Sequence, residues 1–264
     1  MLRSTTFTSS NSLLGLLSQI TRDRLESSLE AVDLAAGDRL AALGTPPEFL
    51  YFLESGIASS SIMSESRYES SVAMVGREGV VCGPALFSGA ISAFDVTMQV
   101  AGKGLRIKSK RLRALADENP SLALLFIKFS DANASQMAST AVSGAAQRMD
   151  GRIARLLLMF QDRTKRDEIE ITHGRLASML AVRRSGITDM LNLFEGEHLI
   201  RSRRGMVTIR DRRGLRELAG AMYGGAEAYY AAVLGTDEDR AASRNDLDLL
   251  TVMPRDDSGN GEHL

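Results

Sequence analysis

The chain holds a single cysteine, no tryptophan and three histidines in 264 residues. One thiol excludes an internal disulfide, and it cannot hold an iron–sulfur cluster, which takes about four cysteines. Three scattered histidines argue against a metal site. A haem ligand from the first 149 residues is also disfavoured, because His173, His198 and His263 all lie later. No run of about eighteen apolar residues occurs, so no transmembrane helix and no membrane partner are expected. The start, MLRSTTFTSSNS, lacks the apolar stretch of a secretory signal. With one cysteine, that points to a reducing cytoplasm. Phosphate-binding loops, Gly-x-Ser-x-Gly elbows, His-Glu-x-x-His pairs and Cys-x-x-Cys pairs are missing too. The expectation is a protein without cofactor and without enzymatic activity.

What is present is an ordinary globular composition, 44% hydrophobic and 25% charged, long enough for two domains. The net charge of -1 hides an asymmetry. Residues 1–149 carry 14 cationic and 14 acidic side chains. Residues 150–216 carry 15 against 9, and residues 217–264 carry 3 against 10. A basic module between a neutral one and an acidic tail suggests a polyanionic partner for the middle part. The tail reads as a disordered solubilising segment or as a competitor for the basic module.

Residues 12–30 have helical periodicity through Leu13, Leu16, Leu17, Ile20, Leu25 and Leu29. From Val32 to Leu112 short apolar segments alternate with Gly and Pro, as in short antiparallel strands. A β-sandwich or jelly roll fits best, and a different all-β barrel fits as well. After Asn119–Pro120 the pattern turns helical and long. Leu122, Leu125, Phe129, Ala132, Gln136, Ser139 and Ser143 recur at spacings of three and four, like a coiled-coil seam. That seam fits a dimer helix, or a helix packed on its own β-domain. The segment MDGRIARLLLMFQDR predicts a second helix with Asp150 as N-cap, followed by a turn and a short strand in TKRDEIEIT. Cys82, flanked by apolar residues, reads as a small buried side chain or a redox sensor.

Residues 172–200 carry the chemistry. Thr172 is a good N-cap for a short helix ending near Leu180, with Leu176 and Leu180 inward and Ala177 small at a helix crossing. A tight turn follows at Ala181–Val182–Arg183. In the next helix Ile187, Met190, Leu191 and Phe194 form one buried stripe. Arg184, Ser185, Thr188, Asp189 and Asn192 lie at its start or on the other face. Arg suits guanine, Asn adenine, Asp the cytosine amino group, and Ser or Thr several bases. The pattern is that of a helix-turn-helix, which two amphipathic core helices can also imitate. Then LIRSRRGMVTIRDRRG reads as a hairpin turning through Arg203–Arg204–Gly205 and crowded by Arg201, Arg203, Arg204, Arg210, Arg212 and Arg213. A basic hairpin in that place is a wing for the phosphate backbone.

These residues, from GRIARLLLMF to RRGMVTIRDRRGLRE, resemble the DNA-binding domain of Crp-Fnr transcription regulators, a bacterial family. The order of parts, from residue 12 to 217, is similar as well, and YFLESGIAS and MVGREGVV resemble members that carry no cyclic-nucleotide signature. The resemblance implies an α+β fold. A β-roll effector domain (12–118) precedes a long dimerisation helix (119–148), a winged helix-turn-helix (149–217) and an acidic C-terminal helix and tail (218–264). It implies a homodimer joined through the 120–145 helix, a palindromic double-stranded operator, and RNA polymerase as a further partner. Arg184, Ser185, Thr188 and Asp189 then take base-reading positions. Thr172, Arg183, Asn192, Arg203 and Arg204 complete the candidate contacts. The effector is unknown, because the phosphate cassette is degenerate. Gly83–Pro84 stands near the position where the nucleotide-binding members have Glu, Asp95 falls where an Arg is expected, and no other Arg is near in sequence. A carboxylate repels a phosphate, so tight cyclic-AMP binding is not expected. Ala181 stands at a turn position where the family often has Gly, which costs about 1 kcal/mol at positive φ. The alternative is a ligand-sensing or protein-interaction module that does not bind DNA specifically.

Overall fold

The computed structural model describes residues 9–63, 69–83 and 91–235. Two short helices, α1 (Ser12–Gly15) and α2 (Gln19–Glu26), lead into strands β1 (Glu30–Leu34), β2 (Arg39–Ala41), β3 (Phe49–Leu53), β4 (Ile57–Met63), β5 (Glu69–Val75), β6 (Val80–Val81), β7 (Asp95–Val100) and β8 (Gly102–Lys108). They form two antiparallel four-stranded sheets, β1-β8-β3-β6 and β2-β7-β4-β5. The inner faces bury Leu50, Phe52, Leu53, Val96, Met98 and Ile107 in one core. This is the β-roll that the alternation of apolar segments and turn formers predicts. Burial pushes the Cys82 thiol up to about 12. That keeps it protonated and unreactive, which speaks for the small-side-chain reading.

Helix α3 (Ser109–Glu118) hands over to α4 (Pro120–Ala146). Asn119 caps α4 by accepting from Ser121 N and Leu122 N, and Pro120 occupies the first turn. The predicted seam is corrected by packing. Leu122, Phe129, Ala132, Gln136 and Ser143 are buried, and the first three belong to the chain's own β-roll core. Leu125 and Ser139 are half-buried beside them. Phe126, which the seam omits, packs against Phe52 with ring centres 6.2 Å apart and planes tilted by 57°. Gln136 brackets the Met74 backbone, accepting from its N at 2.7 Å and donating to its O at 3.1 Å. Gly79 lies beneath Phe129, whose ring would sit 2.3 Å from an added Cβ. The face left exposed carries Leu124 (52%), Ile127 (55%) and Val142 (49%), with Ala134, Ala138 and Ala145.

The second core gathers α5 (Met149–Thr164), β9 (Glu168–Ile169), α6 (His173–Met179), α7 (Arg184–Gly196), β10 (Ile200–Arg203), β11 (Met206–Ile209) and α8 (Arg212–Ala219). Asp150 is not the N-cap of α5: Arg148 holds that place, and Asp150 sits in the first turn accepting from Gly151 N at 2.8 Å. Ile57 and Met74 of the β-roll join this second core. After a break at Gly220 (φ 56°) and Gly224 (φ 104°) comes α9 (Gly225–Leu234). This helix is not an appendage of the tail. It returns to the β-roll, where Leu234 is buried in the first core and Tyr230 Oη donates to Glu78 O at 2.5 Å. Tyr229 bonds Asp131 of α4. The acidic tail beyond 235 lies outside the described residues. Among the described residues no helix is long and apolar enough to cross a membrane.

Candidate nucleic-acid interface

Helix α6 starts where Thr172 Oγ1 accepts from Arg175 N at 3.2 Å. It buries Leu176, Ala177 and Met179, and Leu180 is its half-buried C-cap. Ala181 turns the chain with φ 54°, the left-handed conformation that costs a residue with a Cβ. The turn is closed by Ala181 N to Ser178 O (3.1 Å) and Val182 N to Ala177 O (3.0 Å).

Arg183 then takes the N-cap of α7 in extended backbone, with no capping bond from its side chain. Ile187, Leu191 and Phe194 are fully buried, and Met190 is half-buried at the edge of the stripe. Around the rest of the same helix, Arg183, Arg184, Ser185, Asp189 and Asn192 are exposed. Thr188 differs. It is half-buried, its Oγ1 donates to Arg184 O (3.2 Å), and it lies 3.0 Å from His173 Nδ1. The His173 Nε2 is 3.3 Å from Ser202 Oγ on β10. His173 therefore ties the second helix to the hairpin. Glu195 does the same from the other end of α7 by accepting from Ser202 N at 3.1 Å. Neither residue stands out in the sequence, because their partners are 15, 29 and 7 positions away.

The hairpin pairs Ile200–Arg203 with Met206–Ile209, and Gly205 adopts φ 76° at its tip. Strand β9 adds to β11 as a third strand. Arg201, Arg203, Arg204 and Arg210 are exposed on it. Arg212 is not one of this set. It bonds Asp162 at 2.8 Å and Tyr223 at 2.6 Å and also reaches Gln161, so it links α8 to α5. Arg213 faces Glu217 one turn on.

This module is docked on the β-roll. Ser178 Oγ donates to Glu69 Oε2 at 2.6 Å, and Arg175 Nη1 donates to Gln99 O at 2.6 Å. Leu180 bridges to Ser70, and Arg152 donates to Leu180 O at 2.6 Å. The docking contacts use α6 and α5, where Arg163 pairs with Glu78 of the β-roll at 3.0 Å, leaving the exposed side chains of α7 and the hairpin clear.

At the degenerate cassette, Gly83 is buried near Phe129, and Pro84 lies outside the described residues. Asp95 does not stand as a lone charge. Burial pushes its carboxyl up, but the Leu43 N–H at 3.1 Å and the Arg39 guanidinium outweigh that and hold it below the usual carboxylate range. The arginine absent from its sequence neighbourhood arrives from β2, and it is spent on Asp95.

Residues 151–218 match the family model of the Crp-like helix-turn-helix domain. Among solved structures, the chain is similar to a protein from Eubacterium rectale assigned to the Crp/Fnr family of transcriptional regulators, at 19% identity. That match covers 78% of this chain and 97% of that one, with a TM-score of 0.61. FixK2 from Bradyrhizobium japonicum is 13% identical over 73% of this chain and 98% of its own, at a TM-score of 0.64. A Crp/Fnr-family regulator from Thermus thermophilus is 22% identical over 72% of this chain and 98% of its own, at a TM-score of 0.60. No curated protein matches the sequence. At these identities the likeness to solved structures establishes the fold.

Proposed function

We propose that this chain, a Crp-Fnr-type transcription regulator by its fold and its helix-turn-helix domain, works as a cytoplasmic homodimer that reads a palindromic operator without cyclic AMP. The observation that carries the reading is the division of α7. Ile187, Leu191 and Phe194 are spent on the core, while Arg184, Ser185, Asp189 and Asn192 are exposed together. Arg184 would bind guanine through its two forked donors, Asn192 adenine, and Asp189 would accept from a cytosine amino group. The Thr188 hydroxyl is engaged by Arg184 O and His173, which leaves its methyl for a thymine methyl. Thr172, Arg183, Arg203 and Arg204 would hold phosphates and set register, not sequence.

The exposed stripe of α4 supports the dimer. Leu124, Ile127 and Val142 are apolar, and the alanines between them let a second helix approach closely. Two such protomers would offer α7 to half-sites about 34 Å apart. Independence from cyclic AMP rests on the Arg39–Asp95 pair, in which a carboxylate takes the arginine's Nε and Nη2 and would itself repel a cyclic phosphate. RNA polymerase follows as a partner only from the family likeness. Selection of duplexes from a random pool by the purified protein tests the reading. A palindromic winner whose binding weakens steeply with salt is expected. Retention without sequence preference would favour a ligand-sensing or protein-interaction role.

A further inference from the structure

We infer that a cavity of about 540 Å³ between the two cores is a binding site for a small anionic molecule with an apolar body. Neither Gly83 nor Asp95 lines it, and its wall comes from five places. Leu16 at the end of α1, Arg77 of the β5–β6 turn, Asn133 of α4, Lys165 at the end of α5, and Ala231 and Leu234 of α9 all line it. Its volume is in the range of ligand pockets and far above that of a packing defect. Helix α9 lies beyond the matched DNA-binding domain and supplies a whole wall. A molecule bound here would touch the β-roll, the long helix and the DNA-binding module at once.

Charge bookkeeping gives the ligand class. Every acidic side chain on the wall is already engaged. Glu78 pairs with Arg163 at 3.0 Å, Asp162 with Arg212 at 2.8 Å, and Glu227 accepts from Gly224 N at 3.2 Å. Arg77 and Lys165 are exposed at the rim, and among the described residues their side chains have no such partner. With Arg212 counted as the partner of Asp162, Arg77 and Lys165 face one carboxylate without an opposite charge, Glu227, so the site carries one surplus positive charge. Asn133 adds a directional feature. Its Oδ1 is buried and has no hydrogen-bond partner among the described residues. Buried acceptors are nearly always paired, so a turn of this amide toward the cavity, whose wall Asn133 already lines, would let it accept from a ligand N–H or O–H. The remaining wall, with Leu16, Phe129, Ala231 and Leu234, is apolar.

The probe 8-anilinonaphthalene-1-sulfonate has all three features: a sulfonate, two apolar ring systems and one N–H. Titrated into the full chain, it should show one saturable fluorescent site per protomer. Ala231→Trp, which puts an indole into the cavity from its α9 wall, should abolish that site. Leu16→Glu, at a side chain 43% exposed and so tolerant of change, should weaken it by repelling the sulfonate. Arg77→Glu with Lys165→Glu should weaken it about tenfold, and Asn133→Leu about fivefold. Thermal unfolding checks that each variant is folded; should Ala231→Trp not fold, Leu16→Glu and the double reversal decide. Full binding by folded Ala231→Trp, or by Leu16→Glu and the double reversal together, overturns the site. Equal affinity for neutral N-phenyl-1-naphthylamine overturns the anionic class. Neither readout involves DNA, so failure here leaves the operator reading untouched, and the converse holds.

Discussion

Helices α7 and α4 each have two faces, and the contrast between those faces differs. In α7 the inward stripe is Ile187, Leu191 and Phe194, and the outward face is charged or polar except for Leu193 near its end. Its orientation follows from polarity alone. In α4 the inward side is Leu122, Phe126, Phe129, Ala132 and Gln136, and the outward side is Leu124, Ile127, Ala134, Ala138 and Val142. Gln136 apart, these residues are apolar or small on both sides, so spacing cannot say which side the chain keeps for itself. A helix with one apolar face belongs to one core; a helix with two has a second surface to cover.

The sharpest way to break this comparison is to strike the two sides of α4 separately. Phe126→Ala removes a ring that is 1% exposed and packed against Phe52. It should destabilise the protomer by about 3–5 kcal/mol in urea unfolding. Leu124→Glu with Ile127→Glu should leave unfolding of the protomer nearly unchanged, since both side chains are more than half exposed. Sedimentation should instead show the dimer dissociating, with the dissociation constant raised about 100-fold or more, because two carboxylates would be buried against their own copies. If the double substitution leaves the dimer intact, the outer face of α4 is not the interface.

Legibility in the sequence follows the same contrast. The β-roll, the long helix and the helix-turn-helix with its hairpin are readable from alternation, a capped Asn-Pro start and an i, i+3, i+4, i+7 stripe. The seam of α4 misleads because Gln136 and Ser143, polar by type, are buried, Gln136 by bonding a backbone strand. Sequence adjacency groups Arg212 with the basic hairpin, while its partners Asp162 and Tyr223 come from other elements. Residue type favours Asp150 as a cap, although the backbone puts the cap two residues earlier. His173, Glu195 and the Arg39–Asp95 pair are invisible in the sequence because each depends on tertiary neighbours.

On α7 and the hairpin the comparison sharpens into specificity against affinity. Arg184→Ala should cost about 1–3 kcal/mol on the selected site and relax one base position. Arg204→Ala, at the exposed hairpin tip, should weaken all duplexes alike and lower the slope of log K against log salt by about one. If Arg184→Ala behaves like Arg204→Ala, then α7 contacts backbone and reads nothing.

The smallest effect belongs to the turn that sets α7 in place. Ala181 holds φ 54° with a Cβ, a conformation that costs an L-residue about 1–2 kcal/mol. Ala181→Gly would remove that strain, but it would also loosen the unfolded chain, at a cost of about 0.4–1 kcal/mol. The first effect exceeds the second, so a net gain of about 0.5–1 kcal/mol is expected, a rise of about 1–4 °C in Tm for a chain of this length. The turn is already closed by Ala181 N to Ser178 O and Val182 N to Ala177 O, so operator affinity should not change. A loss of stability would mean that the turn relaxes out of positive φ in solution. That would leave the start of α7, and with it Arg184, in a different place from the one the reading helix requires.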